Sequence, residues 1–587
     1  MLPKAMSHPL TPNFHASHWK NRPACQTIWH ALETEFGRGD SFLETVKHWQ
    51  SNPDSPATLF FTAFASEAPT DLPTELARVC FGLLPGVHRI LLKNAQVHLT
   101  LCIGDAPHIA KEIDITADSL SVGNLETWGA KTLARLCQVG TQIKWLEAQE
   151  ATLQELALAG FHRFASTSTA CYSPKWKVKT SLRQRSAALV TSKSQSRLNA
   201  IVIGAGLAGS AVAHSLAKRG WQVQVIEKGE TLGCGASGLP AGLFATHVSP
   251  DNNVLSRITR DGVRATVQRA QELLEHGREW QISQLLEYQY TGKRQLPEGS
   301  LWPSSGHEWS TQASIPQKLA AGLFENSNAL WHSMAGWLKP KDLVGAQLQH
   351  ANISLLTNKA VAQLRNVNNQ WHCLDANGML IAQSPELIIA NAYDAQALIG
   401  TVEITTEDQL RPHIPATALR GQVTLGTMRN LPAQLRQQLP RFPVNGHGSF
   451  IGHLEAKNAS SHEAFWIVGS SFQRNDFDVS TRETDQISNL QQWAELMPAW
   501  HDDILNQIDP SHTTSWAAIR MALPDRLPAV GAFNHPQLKG VNVCTGMGAR
   551  GISWSVLCGE LLAAQLNQEP LPMAASLAKL MAASRFG

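Results

Sequence analysis

Cysteine is scarce and unpatterned in this sequence. The 587 residues include nine cysteines, an odd number, and none of them forms a C-x-x-C pair. Neither a disulfide framework nor a zinc ribbon is indicated by such spacing. We therefore expect a protein of a reducing compartment that binds no metal.

Long apolar runs and an excess of charge of one sign are also missing. Lys and Arg number 49 against 47 Asp and Glu, so the overall charge does not indicate nucleic-acid binding. No stretch of 18 uncharged apolar residues occurs, and the first 20 residues have no continuous apolar core. The sequence predicts a soluble cytoplasmic protein without a membrane association.

One segment departs from this even charge. Residues 173–197 carry seven Lys or Arg and no acid, and end in a Ser-rich run. We interpret them as an exposed linker, while a basic strip along RNA is the alternative. The predicted domains are therefore residues 1–172, the basic linker 173–197, and residues 198–587.

The region before the linker has an α/β pattern. Strand-like apolar runs at 57–65 and 97–104 precede a helix-like segment at 125–140. Near the start of the chain we find no Gly-rich turn between a strand and a helix. The sequence therefore predicts no nucleotide cradle in this region.

A nucleotide-binding motif follows the linker directly. The β-branched run 199–203 leads into the turn Gly204, Gly206 and Gly209, and then into a helix rich in small residues. A second strand ends in Glu227. Gly204 permits the tight turn, Gly206 leaves room for a phosphate, and Gly209 lets the helix pack on the strand. Helix N–H groups would face a pyrophosphate, and Glu227 would accept hydrogen bonds from ribose hydroxyls.

Two further glycine-rich segments favour FAD over NAD. Small residues after the second strand suit an extended cofactor, although an ordinary flexible loop explains them equally well: Gly235, Ala236, Ser237, Gly238 and Gly242. Near the C-terminus, a predicted strand runs into a turn whose following helix could offset negative charge on a flavin ring: Gly546, Met547, Gly548, Ala549 and Gly551. Arg520 and Arg550 flank this stretch; a surface salt bridge is the alternative role for each.

With these motifs in view, residues 198 to about 572 resemble the D-amino-acid-oxidase-like flavoproteins, the family of glycine oxidase and sarcosine oxidase. The resemblance implies a Rossmann-type FAD-binding domain with an inserted mixed-sheet substrate domain. It also implies that Arg520 and Arg550 bind a substrate carboxylate. Lys228 and Val361 complete the predicted cofactor site.

Several shorter segments are similar to a narrower family, the bifunctional enzymes that complete a modified wobble uridine in tRNA. They are GWLKP (336–340), LRGQV (419–423), IVGSSFQRNDFD (467–478), MGARG (547–551) and CGELLAAQLNQEPLPM (558–573). The resemblance implies tRNA as partner and FAD-dependent oxidation of a carboxymethylaminomethyl uridine to the aminomethyl form, with release of glyoxylate. In that family a methyltransferase domain precedes the oxidase.

The N-terminal region resembles only the later part of such a methyltransferase domain. The resemblance includes no counterpart of the family's Gly-rich S-adenosylmethionine loop, and Ala65 stands where the family carries an acid. Residues 118–128 replace the active-site segment, although Gly104 and Asp105 are kept. Our hypothesis is that this degenerate methyltransferase-like domain has lost methyl transfer and S-adenosylmethionine binding, and persists as a scaffold or tRNA-docking surface.

Two other functions stay open on the sequence. One is a small-molecule amine oxidase of the glycine or sarcosine type with an unrelated N-terminal domain. The other is a non-catalytic RNA-binding protein in which both folds are relics. The intact turn from Gly204 to Gly209, together with Glu227, argues against the second. Neither the oligomeric state nor the oxidant that restores the flavin is predicted.

Overall fold

A computed structural model describes most of the chain as two compact units. The described residues are 14–23, 26–92, 96–164, 167–178, 198–289, 295–404, 411–455 and 464–587. The N-terminal unit comprises Met1–Ser194 and Leu566–Ala578, and the C-terminal unit comprises Gln195–Gln565 and Lys579–Gly587. Most of the predicted basic linker, residues 179–197, lies outside the described residues.

An eight-stranded mixed sheet forms the centre of the N-terminal unit. Its middle strands pair in parallel, and hairpins close both edges. Thr58–Ala65 is buried almost throughout, as expected for an apolar run covered on both faces. From edge to edge the strands are Gly86–Leu92, Val97–Ile103, Thr58–Ala65, Ile28–Glu33, Ala117–Asn124, Cys137–Glu147, Thr169–Tyr172 and Phe161–Arg163.

Short helices accompany this sheet, and two expectations are corrected there. The segment 125–140, expected to be helical, is broken by Gly129 at φ 66° and continues as a strand from Cys137. A turn between strand and helix does occur near the start, because Ile28–Glu33 leads through Gly37 and Gly39, both at positive φ, into a helix. The helices are Asp40–Ser51, Thr74–Ala77, Ala106–Ile109, Leu125–Trp128, Ala130–Arg135 and Glu150–Leu158.

A segment from the far end of the chain completes the N-terminal unit. The guanidinium of Arg89 donates hydrogen bonds to the carbonyl oxygens of Pro570 at 3.0 Å and Leu571 at 3.1 Å. The Glu112 carboxylate accepts a hydrogen bond from the amide of Ser576 at 3.0 Å. Residues 566–578 are therefore part of this unit although they follow the whole C-terminal unit in sequence.

A six-stranded sheet organises the C-terminal unit. Its first five strands are parallel and the last is antiparallel, which places the carboxyl ends of the parallel strands along one edge. In order they are Ile353–Leu356, Gln222–Ile226, Asn199–Ile203, Glu386–Ile389, Val541–Thr545 and Ala529–Ala532. The strands predicted at 199–203 and 541–544 are both present, as neighbours of Glu386–Ile389.

A larger mixed sheet and two small sheets make up the rest of the strands in this unit. The larger sheet runs Ser310–Gln312, Ala329–His332, Leu285–Tyr288, Val444–Gly446, Gly448–Glu455, Ala464–Gly469, Thr417–Thr427 and Gln473–Arg474, with Thr513–Ala522 also paired to Thr417–Thr427. The small sheets are Gly242–Phe244, Gly336–Leu338, Trp280–Gln281 and Gln363–Val367, Gln370–Leu374, Leu380–Ser384.

Two helices pack closely beside the six-stranded sheet. A Cβ at Gly559 would stand 2.7 Å from the backbone of Ala211, so the glycine is needed for this approach of Gly551–Asn567 to Leu207–Ala217. The remaining helices are Val254–Leu273, Ser304–His307, Ile315–Ala320, Pro340–Leu348, Ala395–Gly400, Ala433–Gln438, Glu483–Leu496, His501–Gln507 and Ala575–Met581.

A buried ion network joins these helices. The Glu560 carboxylate accepts from Arg269 at 2.7 Å, Arg219 at 3.0 Å and the Ser215 hydroxyl at 2.7 Å. Burial alone would raise the pKa of Glu560, but the two guanidinium groups outweigh it and hold that pKa well below its usual range. The network therefore keeps an ionised carboxylate inside the unit.

Among the residues that the structure describes, no helix is long and apolar enough to cross a membrane. The same residues contain no group of three or more His, Cys, Asp or Glu side chains arranged to hold a metal ion.

Candidate functional site

The first glycine turn has the geometry that the sequence predicts. Gly204 has a φ of 104°, and a Cβ there would lie 2.8 Å from the Ala390 carbonyl oxygen. A Cβ at Gly209 would overlap the Gly204 carbonyl oxygen, so the helix packs onto the turn only without a side chain. Gly206 is the N-cap of the helix Leu207–Ala217. The strand, turn and helix therefore form the anion-binding corner expected of a dinucleotide site.

The loop at 235–238 joins this corner. The Ser237 hydroxyl accepts a hydrogen bond from the amide of Leu207 at 2.9 Å, and a Cβ at Gly206 would stand 2.9 Å from the same oxygen. Ser237 lies in a single turn of 3-10 helix, Ala236–Gly238, which begins after Gly235. The structure thus brings the second glycine-rich segment to the start of the helix, where both would line a phosphate.

Glu227 is buried behind the turn. One carboxylate oxygen accepts from the amide of Ala205 at 2.8 Å, and the other accepts from the amide of Gly229 at 2.9 Å and the Cys234 thiol at 3.3 Å. A carboxylate offers about four acceptor positions. Glu227 therefore stabilises the loop backbone and retains capacity for a ribose hydroxyl.

The other two predicted cofactor residues near Glu227 differ in their surroundings. Lys228 is exposed and forms an ion pair with Asp394 at 2.7 Å, a hydrogen bond that raises the pKa of Lys228. Val361 is partly buried against the core of the unit. Its segment is held beside Glu227, because the Lys359 amide donates to the Glu227 carbonyl oxygen at 3.0 Å.

The C-terminal glycine turn lies close to the first one. The strand Val541–Thr545 leads into Gly546, which has a φ of 78°, and Gly548 has a φ of 54°. A Cβ at Gly551 would lie 3.6 Å from the Leu207 side chain, and one at Gly242 would lie 2.6 Å from that of Ile552. The structure therefore brings together the three glycine-rich segments predicted from the sequence. Met547 and Ala549 belong to the same turn, with Met547 bridged to Ala522.

Arg520 reaches this site from the strand Thr513–Ala522. Its Nη2 donates to the Ser470 hydroxyl at 3.4 Å, and burial lowers the pKa of Arg520. Within the described part of the chain, no carboxylate pairs with its guanidinium. The alternative of a surface salt bridge therefore does not hold for Arg520.

Arg550 lies two residues beyond Gly548, and its guanidinium is 5.5 Å from the centroid of the Trp554 ring. This cation–π contact directs the Arg550 side chain toward the helix Gly551–Asn567, which contains Trp554. The structure leaves a carboxylate-binding role for Arg550 as a prediction.

Two residues of the Arg520 surroundings were not among the predicted site residues. Gly421 lies two residues after Leu419, the partner of Arg520 across the sheet, and Ser470 begins the loop after Ala464–Gly469. Both lie inside segments noted for their family similarity, LRGQV and IVGSSFQRNDFD. That similarity was the signal that could have identified them.

The strand order of the N-terminal sheet reverses at Ile28–Glu33, which lies between Thr58–Ala65 and Ala117–Asn124. In α/β sheets the crevice at such a position is where ligands bind. The Thr34 hydroxyl accepts from the amide of Gly123 at 3.0 Å. A Cβ at Gly123 would overlap the carboxylate of Glu35. An acidic side chain of the chain itself therefore occupies this crevice.

The residues of the C-terminal unit fit FAD. The corner at Gly204–Gly209 has space only because side chains are missing, its helix start offers main-chain N–H groups, and Glu227 is buried beside it. The turn at Gly546–Gly551 lies beside this corner, since a Cβ at Gly551 would be 3.6 Å from the Leu207 side chain.

Comparison with known proteins agrees with this geometry. The family model described as "FAD dependent oxidoreductase" matches residues 199–565. The tRNA 5-methylaminomethyl-2-thiouridine biosynthesis bifunctional protein MnmC of Polaromonas naphthalenivorans is 37% identical, covering 94% of this chain and 89% of that protein. The protein of the same name from Paracidovorax citrulli is 36% identical over 96% of this chain and 92% of its own length.

A solved structure shows the same fold for the oxidoreductase part. L-proline dehydrogenase from P. horikoshii matches with a TM-score of 0.50 at 17% identity, covering 66% of this chain and 98% of that one. The predicted fold class, the D-amino-acid-oxidase-like domain and its flavin-dependent enzymatic nature are thereby confirmed. The chain belongs to the family of tRNA 5-methylaminomethyl-2-thiouridine biosynthesis bifunctional proteins, and its residues 199–565 form a FAD-dependent oxidoreductase.

Proposed function

We propose that the C-terminal unit oxidises carboxymethylaminomethyl uridine, or its 2-thio form, at the wobble position of tRNA. The products are the aminomethyl nucleoside and glyoxylate. The observation that carries the proposal is the partly buried guanidinium of Arg520, which has no carboxylate partner among the described residues and lies on the strand that is bridged to the C-terminal glycine turn. A substrate that ends in a carboxylate supplies that partner.

The substrate carries a group of the form R–CH2–NH–CH2–COO⁻. Oxidation removes a hydride from the carbon next to the carboxylate and a proton from the nitrogen, which leaves a C=N bond. Water then adds to that carbon and the C–N bond breaks, giving R–CH2–NH2 and OHC–COO⁻. The chemistry that FAD supplies when bound is that of a hydride acceptor.

The residues of the chain have separate roles in this proposal. Gly204, Gly206 and the start of the helix Leu207–Ala217 would hold the pyrophosphate, with Glu227 at the ribose. Arg520 would fix the carboxylate, which orients the neighbouring CH2, and Arg550 would add positive charge beside the helix Gly551–Asn567. The N–H groups at the start of that helix would favour negative charge on a flavin ring held beside them.

For the N-terminal unit we propose loss of methyl transfer. The carboxylate of Glu35 lies in the crevice at Gly123, and Ala65 is the last residue of the strand Thr58–Ala65 where the family carries an acid. Both features support a unit that acts as a scaffold or tRNA-docking surface and does not bind S-adenosylmethionine.

The direct test of the oxidation is a reaction with purified, flavin-loaded protein. Carboxymethylaminomethyl tRNA, glycine and sarcosine are supplied separately, glyoxylate is quantified, and the tRNA nucleosides are analysed by mass spectrometry. We expect glyoxylate and aminomethyl nucleoside in equal amounts from the tRNA. Turnover of glycine or sarcosine with unchanged tRNA would show a small-molecule amine oxidase instead.

A further inference from the structure

An exposed aromatic surface lies next to Arg520. The segment 470–480, here called the aromatic loop, follows the strand Ala464–Gly469 and begins with Ser470, which bonds to Arg520. The side chains of Phe472 and Phe477 are 54% and 53% exposed, and Val479 is 54% exposed. Large apolar side chains are costly in water, so three of them within eight residues indicate a binding surface.

The loop is held in place by the sheet beneath it. Residues Gln473–Arg474 pair with Thr417–Thr427, and the amide of Asn475 donates to the Ala418 carbonyl oxygen at 2.8 Å. From below, the buried Arg420 donates to the carbonyl oxygens of Asp478 at 2.5 Å and Ser480 at 2.6 Å. The aromatic side chains are therefore presented on an ordered backbone, which lowers the entropy lost on binding.

One basic side chain of the loop has no acidic partner in the described ranges. Its two acids, Asp476 and Asp478, are both paired with Arg482, at 2.6 Å and 3.0 Å. The guanidinium of Arg474 lies 6.0 Å from the centroid of Phe472 and forms no ion pair among the residues that the structure describes. An aromatic ring beside an uncompensated guanidinium is the combination that binds single-stranded nucleic acid, by stacking a base and pairing with a phosphate.

The aromatic surface extends toward the cofactor turns. The Tyr393 ring packs edge-on against Phe477 with centroids 5.1 Å apart. Tyr393 belongs to the turn Ala392–Asp394, whose first carbonyl oxygen accepts from the Thr545 hydroxyl at 3.4 Å, directly before Gly546. The rings of Phe477 and Tyr393 are thus connected to the strand end that precedes the C-terminal glycine turn.

We propose that the aromatic loop docks the anticodon loop of the substrate tRNA, with nucleotides next to the wobble uridine stacked on Phe472 and Phe477 and a phosphate paired with Arg474. The inference rests on the proposed function, because it assigns the RNA around a nucleoside whose carboxylate is held by Arg520. It explains how the enzyme would select a nucleoside within RNA over a free amine.

The test measures the affinity of the flavin-loaded full chain for an RNA hairpin carrying the anticodon loop, by fluorescence anisotropy. Phe472→Ala and Phe477→Ala are each expected to weaken binding roughly 5- to 150-fold, the loss of one stacked base. Arg474→Ala is expected to weaken binding and to reduce the slope of log affinity against log salt by about 1. Phe324→Ala, which removes a ring that is 55% exposed elsewhere in the unit, is the matched control and should bind as the wild type does.

Kinetics separate docking from a merely structural role. The aromatic-loop variants should raise KM for tRNA while kcat and the flavin spectrum stay near those of the wild type, because the contacts are made equally in ground and transition states. If the wild type oxidises tRNA but the Phe variants bind and react normally, the docking proposal is overturned and the proposed function stands. A wild type that neither binds nor oxidises tRNA overturns both.

Discussion

The guanidinium of Arg520 occupies the space left by the missing side chain of Gly421. A Cβ at Gly421 would stand 2.8 Å from Nη2 of Arg520 and 3.3 Å from the Ser470 hydroxyl. The two residues lie on paired strands, where Leu419 is opposite Arg520 and Gly421 is opposite Ala518. The glycine therefore sets the direction in which this partly buried charge can point.

Replacing Arg520 tests the role assigned to its charge. Arg520→Met is expected to lower kcat/KM for carboxymethylaminomethyl tRNA, because the substrate carboxylate loses its partner. The loss of transition-state stabilisation should be roughly 2–5 kcal/mol. Arg520→Lys keeps the charge but not the two-pronged donor, so an intermediate loss is expected. Steady-state glyoxylate release measures both variants; unchanged kinetics for Arg520→Met would remove this residue from the site.

Gly421→Ala should misplace the same guanidinium without removing it. The added methyl group forces Arg520 or the Ser470 loop to shift, so KM for the tRNA should rise while the flavin remains bound. Gly400→Ala is the control, since a Cβ there meets nothing within 4 Å. KM is measured for both variants by varying the concentration of tRNA. An equal KM for the two would show that the site tolerates the shift.

Gly206→Asp is expected to abolish flavin binding. A Cβ at this position already lies 2.9 Å from the Ser237 hydroxyl, and a carboxylate would repel the pyrophosphate at the helix start. The purified variant should lack the visible flavin absorbance of the wild type. Gly345→Asp, where a Cβ has open space, should stay yellow. Colour retained by Gly206→Asp would contradict this placement of the cofactor.

Glu560→Gln should destabilise the C-terminal unit by about 3 kcal/mol at neutral pH, because Arg269 and Arg219 lose their counter-charge inside the protein. The pKa of Glu560 is lowered in the folded state, so its ionised form contributes stability above the unfolded pKa of about 4.3. That contribution is lost as the pH falls further.

Urea unfolding at a series of pH values measures this effect. The difference between wild type and Glu560→Gln should be largest near neutral pH and shrink below about pH 4. Glu495→Gln removes an exposed carboxylate and should change stability by less than about 0.5 kcal/mol. A difference that is constant with pH would mean that the charge of Glu560 does not stabilise the fold.

S-adenosylmethionine binding tests the proposal for the N-terminal unit. Isothermal titration of the wild type should give no binding, since the Glu35 carboxylate lies in the crevice at Gly123. Glu35→Gly removes the carboxylate from that space, so this variant is expected to bind S-adenosylmethionine more tightly than the wild type does. Micromolar binding by the wild type, with methyl transfer to aminomethyl tRNA, would disprove the loss of this activity.

Local patterns in the sequence predicted the features that depend on neighbouring residues. The turn from Gly204 to Gly209 lies between a strand and a helix that are contiguous with it, so spacing alone identified it. The surroundings of Arg520 could not be derived in this way. Gly421, Ser470 and Arg520 meet through strand pairing across 49 to 99 residues, and no local periodicity encodes that register.

The same limit explains the turn that was missed in the N-terminal unit. Gly37 and Gly39 follow the strand Ile28–Glu33, but Glu35 stands in the loop and only two glycines remain, so the pattern fell short of a nucleotide motif. Whether a loop joins a strand to a helix depends on pairing with Thr58–Ala65 and Ala117–Asn124, which is set by the whole sheet. The residues assigned to the cofactor and substrate stay predictions that the proposed variants can test.

The return of residues 566–578 to the N-terminal unit means that the gene cannot be divided at one point. A fragment ending before residue 179 would lose the carbonyl oxygens of Pro570 and Leu571, and the Arg89 guanidinium would be left without these two acceptors. A fragment beginning at residue 198 would contain residues 566–578 but not the N-terminal unit to which they belong. Swapping or deleting either half during evolution would therefore require two coordinated changes, which favours inheritance of the halves together.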